Sequence, residues 1–130
     1  MKLLLNTHVF LWYITDDQRL PIGMGDALRD LNNEVYLSVV SIWEATVKYQ
    51  LGKLPLPQSP DIYLPFQRRQ HQFASLSLDE SSVSKLIALP SLHRDPFDRM
   101  LICQALAHDL VIATVDDTIS AYSVPLLDRV

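Results

Sequence analysis

The stretch Leu3-Leu4-Leu5-Asn6-Thr7-His8 decides how the rest of the chain is read. Three consecutive leucines form a short run that is apolar on both strand faces, the mark of a buried strand. Polar Asn6 and Thr7 stop the run. His8 to Ile14 then has helical character and ends at Thr15-Asp16-Asp17. A buried strand passing at once into a helix is the unit from which parallel sheets covered on both faces are made.

The same alternation continues along the chain. Pro21 suits a helix start, and Met24, Ala27, Leu28 and Leu31 supply the 3–4 spacing of a buried helical stripe up to Asn32-Asn33. Val35-Tyr36-Leu37 reads as a second strand. A helix follows to about Leu51, with Gly52 as its terminator. Leu54 to Pro57 is a loop, and Pro60 to Gln70 a further helix. Phe73 to Leu76 is a weaker strand, and Ser77-Leu78-Asp79-Glu80 has the form of a capping box opening a helix toward Ala88. Pro96 to His108 is the clearest helix. Leu110 to Ala113 is a strand, a short helix follows Asp117, and Val124 to Leu127 is a last strand. The expected fold is α/β, with a central parallel sheet of four to five strands between two helical layers and one domain over residues 1–130.

Composition narrows the functional classes. Hydrophobic residues make up 48% of the chain and charged residues 20%, which suits a packed core. No apolar run approaches the roughly 20 residues of a membrane span. Met1 to Leu5 is too short for a signal peptide, so the expected location is the cytoplasm, without membrane attachment. Cys103 is the single cysteine, which fits a reducing compartment and leaves no internal disulfide. The four histidines, His8, His71, His93 and His108, show no zinc-ligand spacing and read as surface or packing residues. Trp12 and Trp43 read as core or interface residues. With only three glycines, Gly23, Gly25 and Gly52, neither a P-loop nor a dinucleotide fingerprint can be built. The net charge of −4 argues against bulk electrostatic binding of nucleic acid but not against a nuclease whose carboxylates hold a cation.

Glu44, Asp98 and Asp116, with Asn6, stand beside strand ends or helix starts, where parallel sheets bind ligands. Each has an ordinary structural reading. Asn6 can cap the helix after it, and Ser41 with Glu44 has the spacing of a capping box. Asp95 before Pro96 is a natural cap, with Asp98 in the first turn, and Asp116 or Asp117 can cap the last short helix. Yet Glu44 interrupts the apolar stripe of Val40, Val47 and Leu51, and a buried carboxylate must be paired or bind a metal. Arg94 and Arg99 flank Asp95 and Asp98 and suit phosphate contact. Lys48, Lys53, Arg68 and Arg69 are a candidate RNA-facing patch, with a solvated helix face as the simpler reading. Together the acids suit Mg²⁺ or Mn²⁺, which could activate water and stabilise charge on a phosphodiester.

The segments Leu3 to His8, Glu34 to Ser38, Ile42-Trp43-Glu44, Leu51 to Leu54, His93 to Ile102 and Ala113 to Asp116 resemble those of PIN-domain proteins, most nearly the VapC-type toxins of toxin-antitoxin pairs. The resemblance covers nearly the whole chain in order, and His93-Arg94-Asp95-Pro96-Phe97-Asp98-Arg99 is its most specific part. It implies an α/β/α fold, Mg²⁺- or Mn²⁺-dependent endoribonuclease activity on transfer or other structured RNA, a homodimer, and a cognate antitoxin. Glu44, Asp98 and Asp116 match the family's acidic positions as catalytic and metal-binding residues. Thr7, Asp95 and Asp117 are auxiliaries. The departure is Asn6, where the family pattern has Asp, so the site loses a full negative charge and Asn6 is left as a weak metal ligand. The expected activity is therefore attenuated. The alternative is a PIN-like module that binds RNA or an antitoxin without catalysis. A phospho-receiver domain fits poorly, because the first strand ends without an acidic pair and no lysine lies near a late strand end.

Overall fold

The computed structural model describes residues 1–128. In chain order the elements are β1 (Lys2–Leu5), α1 (Thr7–Ile14), α2 (Ile22–Arg29), β2 (Glu34–Ser38), α3 (Val39–Gln50), α4 (Pro60–Gln70), β3 (Ala74–Leu76), α5 (Glu80–Ser84), a 3-10 turn (Lys85–Ala88), α6 (Pro96–His108), β4 (Val111–Ala113) and α7 (Asp117–Ser120). All pairings among the four strands are parallel, in the order β3-β2-β1-β4. The chain runs outward from β1 to β3 on one side and then crosses to β4 on the other. The strand order therefore reverses between β1 and β4, and a crevice opens there beyond the carboxyl ends of the strands. Among the described residues no helix is long and apolar enough to cross a membrane.

The three leucines of β1 are fully buried, and their alternation divides the core. Leu3 and Leu5 join Val35, Leu37 and Ala113 against α1, α2 and α4 through Val9, Phe10, Met24, Leu28 and Leu64. Leu4 and Ile112 point the other way, onto Leu101, Ile102 and Ala105 of α6 and Ile119 of α7. The sheet is thus the middle of three layers. Leu4→Ala is expected to cost about 3 kcal/mol, because a fully buried leucine is lost where both helices are fixed. Urea unfolding measures this, and a cost under about 1 kcal/mol would contradict a packed second layer.

Several expected boundaries are corrected. The α2 stripe keeps Met24 and Leu28, but the helix ends at Arg29 and leaves Leu31 89% exposed. Leu51 is likewise exposed, because α3 has ended at Gln50. Gly52 takes φ 72°, the left-handed conformation a helix terminator needs, and Lys53 N–H donates to the Lys48 carbonyl across it. The cap of α5 is Asp79, whose carboxylate accepts from Ser82 N–H, and not Ser77. Val124 to Leu127 makes a single bridge from Leu126 to Ile112 and no strand. Pro125 supplies only its carbonyl to that ladder, having no N–H to extend it.

Buried Gln104 fastens the sheet edge to α6. It lies at hydrogen-bond distance from the Ser38 hydroxyl, 2.6 Å, and donates to the Ser77 carbonyl at 3.2 Å. Ser38 in turn accepts from Val40 N–H and caps α3. This cap is what aims α3, and with it Glu44, over the strand ends.

Candidate metal centre and active site

Three helix starts and the second turn of α3 deliver the candidate residues. Asn6 follows β1 and caps α1, its side-chain oxygen accepting from His8 N–H at 3.1 Å. Asn6 N–H also donates to the Ala113 carbonyl, which extends the β1–β4 ladder and fixes the floor of the crevice. Asp95 caps α6 by accepting from Phe97 N–H, Pro96 fills the first helical position, and Asp98 stands in the first turn. Asp116 caps α7 through Thr118 N–H. Asp95 and Asp116 each cap through Oδ1, and capping leaves Asp116 Oδ2 free to lie 3.8 Å from His93 Nε2.

Glu44 has no capping role. Helix α3 starts after Ser38, so Glu44 lies in its second turn and Ser41 is already helical. Glu44 is only 2% exposed. One carboxylate oxygen accepts from the Thr7 hydroxyl at 2.7 Å, and the other is paired with Lys48. Thr7 Oγ1 also lies 2.9 Å from the Ser41 hydroxyl. Thr7 thereby ties the start of α1 to Glu44, which gives this residue a definite task in orienting the acid.

Asp98 is the centre of the arrangement. It is 7% exposed, and each of its oxygens has a separate partner. Oδ1 accepts from the Asn6 amide at 3.3 Å, and Oδ2 lies 2.9 Å from His93 Nε2. The same His93 nitrogen is 3.8 Å from Asp116 Oδ2. Burial pushes the Asp98 carboxyl up to about 6. The His93 hydrogen bond opposes this, while the negative charges of Asp95, Glu44 and Asp116 reinforce it. Asp116 differs. Desolvation works to raise its pKa, but hydrogen bonds from Thr118 and the nearby His93 and His8 hold it below the usual carboxylate range.

His93, Asp98 and Asp116 each present a ligand atom, all within 4.8 Å of one another. Carboxylate oxygens with one imidazole nitrogen suit a divalent cation, and a buried carboxylate surrounded by like charges gains most from one. The donor set therefore fits a metal. His93 was read from the sequence as a surface or packing residue; in the fold its ring reaches into the acidic group. Its one sequence signal was its place at the head of the His93-to-Arg99 segment. Asn6 is turned with its amide NH₂ toward Asp98, because its oxygen is engaged as the cap. Arg94 is exposed, next in sequence to His93. Arg99 donates to the Leu89 carbonyl, on the loop before α6. Asp117 is exposed at the start of α7. A cavity of about 470 Å³ at the opposite end of the sheet, lined by residues such as Tyr13, Arg29, Glu34 and His71, holds none of these acids.

The family model for the PIN domain matches residues 3–125. This chain belongs to the PIN-domain family. The match takes in every strand and helix of the sheet and its two covering layers. Among relatives of this PIN domain, Ribonuclease VapC16 of Mycobacterium tuberculosis is 37% identical over 54 residues, which are 42% of this chain and 38% of that protein. The aligned stretch is thus well under half the length of that relative. Similar solved structures include VapBC2 from Rickettsia felis bound to a promoter DNA fragment, with a TM-score of 0.73 at 14% identity and 98% of both chains covered. VapBC-1 from nontypeable Haemophilus influenzae gives 0.65 at 15% identity over 99% of this chain and 98% of the other. FitAcB from Neisseria gonorrhoeae gives 0.62 at 20% identity over 98% and 97%. At these identities the likeness is one of fold, and it agrees with the α/β architecture with a parallel sheet expected from the sequence.

Proposed function

We propose that this PIN domain is a Mg²⁺- or Mn²⁺-dependent endoribonuclease, the toxin of a toxin-antitoxin pair, with a site weakened by Asn6. The observation that carries this is the burial of Asp98 where the charges of Glu44 and Asp116 reach it. Such an arrangement is costly for a folded protein unless a cation is bound, and sites of this kind are where function accumulates. The name of the mycobacterial relative supports ribonuclease chemistry, and the fold shared with VapBC2, VapBC-1 and FitAcB supports the toxin reading, in which the chain forms a homodimer and pairs with a cognate antitoxin. The reading places the protein in the cytoplasm, where RNA is the substrate.

Asp98 and Asp116 are the residues that would hold the metal, joined by Glu44 on displacement of Lys48 from its second oxygen, with the Asn6 carbonyl a poor further donor. When bound, a divalent ion lowers the pKa of water and offsets charge on a phosphodiester. The chain's own side chains set the stage. Thr7 fixes one Glu44 oxygen, Asp95 fixes the start of α6, and Asp117 adds negative charge at the mouth near Asp116. Exposed Arg94 is assigned to substrate phosphate, and Arg99 is the second candidate, although its guanidinium is engaged by the Leu89 carbonyl. Glu44→Gln is expected to lower Mn²⁺-dependent cleavage of structured RNA by at least about 100-fold while leaving a folded protein by circular dichroism. Unchanged cleavage in that variant would remove Glu44 from the site.

One observation favours a second reading, a PIN-like module that binds RNA or an antitoxin without cutting. The Asn6 amide already donates to Asp98 and so takes up part of the role of a cation. Calorimetric titration separates the two readings. The nuclease takes up Mn²⁺ at millimolar concentration or below, and the binding module does not.

A further inference from the structure

The imidazole of His93 lies beside an acidic pair that the nuclease reading treats as an all-oxygen site. We propose that His93 is itself a metal ligand, so that this chain binds its ion through His93 Nε2, Asp98 and Asp116 and prefers Mn²⁺ or Co²⁺ to Mg²⁺. This deepens the nuclease reading and rests on it for the identity of the site.

Three observations carry the proposal. The first is spacing. His93 Nε2 is 2.9 Å from Asp98 Oδ2 and 3.8 Å from Asp116 Oδ2. Donor atoms that share one ion at about 2.1 Å stand about 3 to 4 Å apart, so both distances from His93 are those of two ligands on one ion, and the three residues present ligand atoms within 4.8 Å of one another. The second is the division of Asp98. Its Oδ1 is taken by the Asn6 amide, while Oδ2 faces His93. The position of residue 6 offers an N–H donor on one side of Asp98, which repels a cation. The His93 side offers an imidazole nitrogen, which a cation would take over from its contact with Asp98 Oδ2, and a second carboxylate.

The third observation is that the loop carrying His93 is held in place. The Tyr122 hydroxyl accepts from Leu92 N–H at 3.1 Å and from His93 N–H at 2.8 Å. Tyr122 itself is buried in the core beneath α6. A loop with no regular structure is thus pinned at the residue whose ring enters the acidic group. Fixing a ligand's backbone from a neighbouring element is how metal sites keep ligands oriented. The imidazole then sets the preference. Mg²⁺ favours hard oxygen donors and keeps its waters, whereas Mn²⁺ and Co²⁺ accept imidazole readily.

The test uses the intact chain and Mn²⁺ as probe. Electron spin-echo modulation of the Mn²⁺-loaded protein reads directly bound ¹⁴N. The expected result is nitrogen coupling in the native chain and none in His93→Gln. Titration calorimetry of the same proteins should show Mn²⁺ affinity falling by more than about 100-fold in His93→Gln, above the range of an outer-shell partner, with Mg²⁺ affinity changing less. Tyr122→Phe, which keeps the ring and loses the acceptor, should weaken Mn²⁺ by about tenfold and leave the nitrogen coupling present. Absence of nitrogen coupling in the Mn²⁺-loaded native chain overturns the proposal even if His93→Gln fails to fold. RNA cleavage is scored separately. A chain with nitrogen coupling that cuts no RNA keeps this inference and loses the ribonuclease reading; one that cuts RNA in Mn²⁺ without nitrogen coupling does the reverse.

Discussion

Asp98→Asn is expected to abolish metal-dependent cleavage, by at least about 1000-fold, and at the same time to make the metal-free protein more stable at neutral pH. The two effects have one cause. In the fold, burial and three neighbouring carboxylates lift the Asp98 carboxyl to about 6, from an ordinary 3.8. A folded pKa above the unfolded one means that the fold favours the protonated form. The stability Asp98 contributes is therefore complete below about pH 3.8 and is lost as the pH rises through about 6. The difference corresponds to about 3 kcal/mol at pH 8. Asparagine keeps the size and the acceptor toward the Asn6 amide without the charge. In EDTA, urea unfolding should show the variant and the native chain near equal at pH 4 and the variant ahead by about 2 to 3 kcal/mol at pH 8. A native chain that stays ahead at both pH values would mean that Asp98 is held by a structural ion pair instead of waiting for a cation.

The second large effect is a gain. Asn6→Asp should keep the α1 cap, since aspartate and asparagine cap equally well. It also replaces the amide donor 3.3 Å from Asp98 Oδ1 with a carboxylate. Without metal, two like charges at that distance should cost the fold about 1 to 2 kcal/mol. With metal, the added charge faces the cation from within a partly desolvated crevice, and Mn²⁺ and Mg²⁺ affinity should each rise by about 100-fold, equivalent to about 2.7 kcal/mol. The signature is therefore a variant less stable than the native chain in EDTA and more stable in about 5 mM Mn²⁺. Stabilisation in both buffers would show that residue 6 acts on packing alone.

Much of this arrangement was legible in the sequence for local reasons. The unbroken Leu3-Leu4-Leu5 run required two covered faces, and Asp95-Pro96 fixed the start of α6 to the residue. The acids beside strand ends were found because parallel sheets leave ligands nowhere else to sit. What the sequence concealed depends on contacts between distant segments. Ser38 caps α3 because β2 extends that far, and this moved Glu44 out of the capping position that Ser41 had offered. Asp79 caps α5 in preference to Ser77, whose carbonyl is already engaged by Gln104. His93 entered the site only through the Tyr122 anchor, 29 residues further along, which no local spacing reveals. The orientation of the Asn6 amide followed from a backbone N–H two residues away, and that orientation turns a lost charge into an opposing donor.

On the reading proposed above, the crevice beyond β1 and β4 is a ribonuclease site disarmed at one ligand. The most direct measurement is cleavage of a structured RNA panel in Mn²⁺ by the native chain, by Asn6→Asp, and by Asn6→Asp combined with Asp98→Asn. The expected result is weak or absent cutting by the native chain, strong cutting by Asn6→Asp, and none by the double variant. Silence from all three over a broad panel, or equal cutting by the double variant, would contradict it.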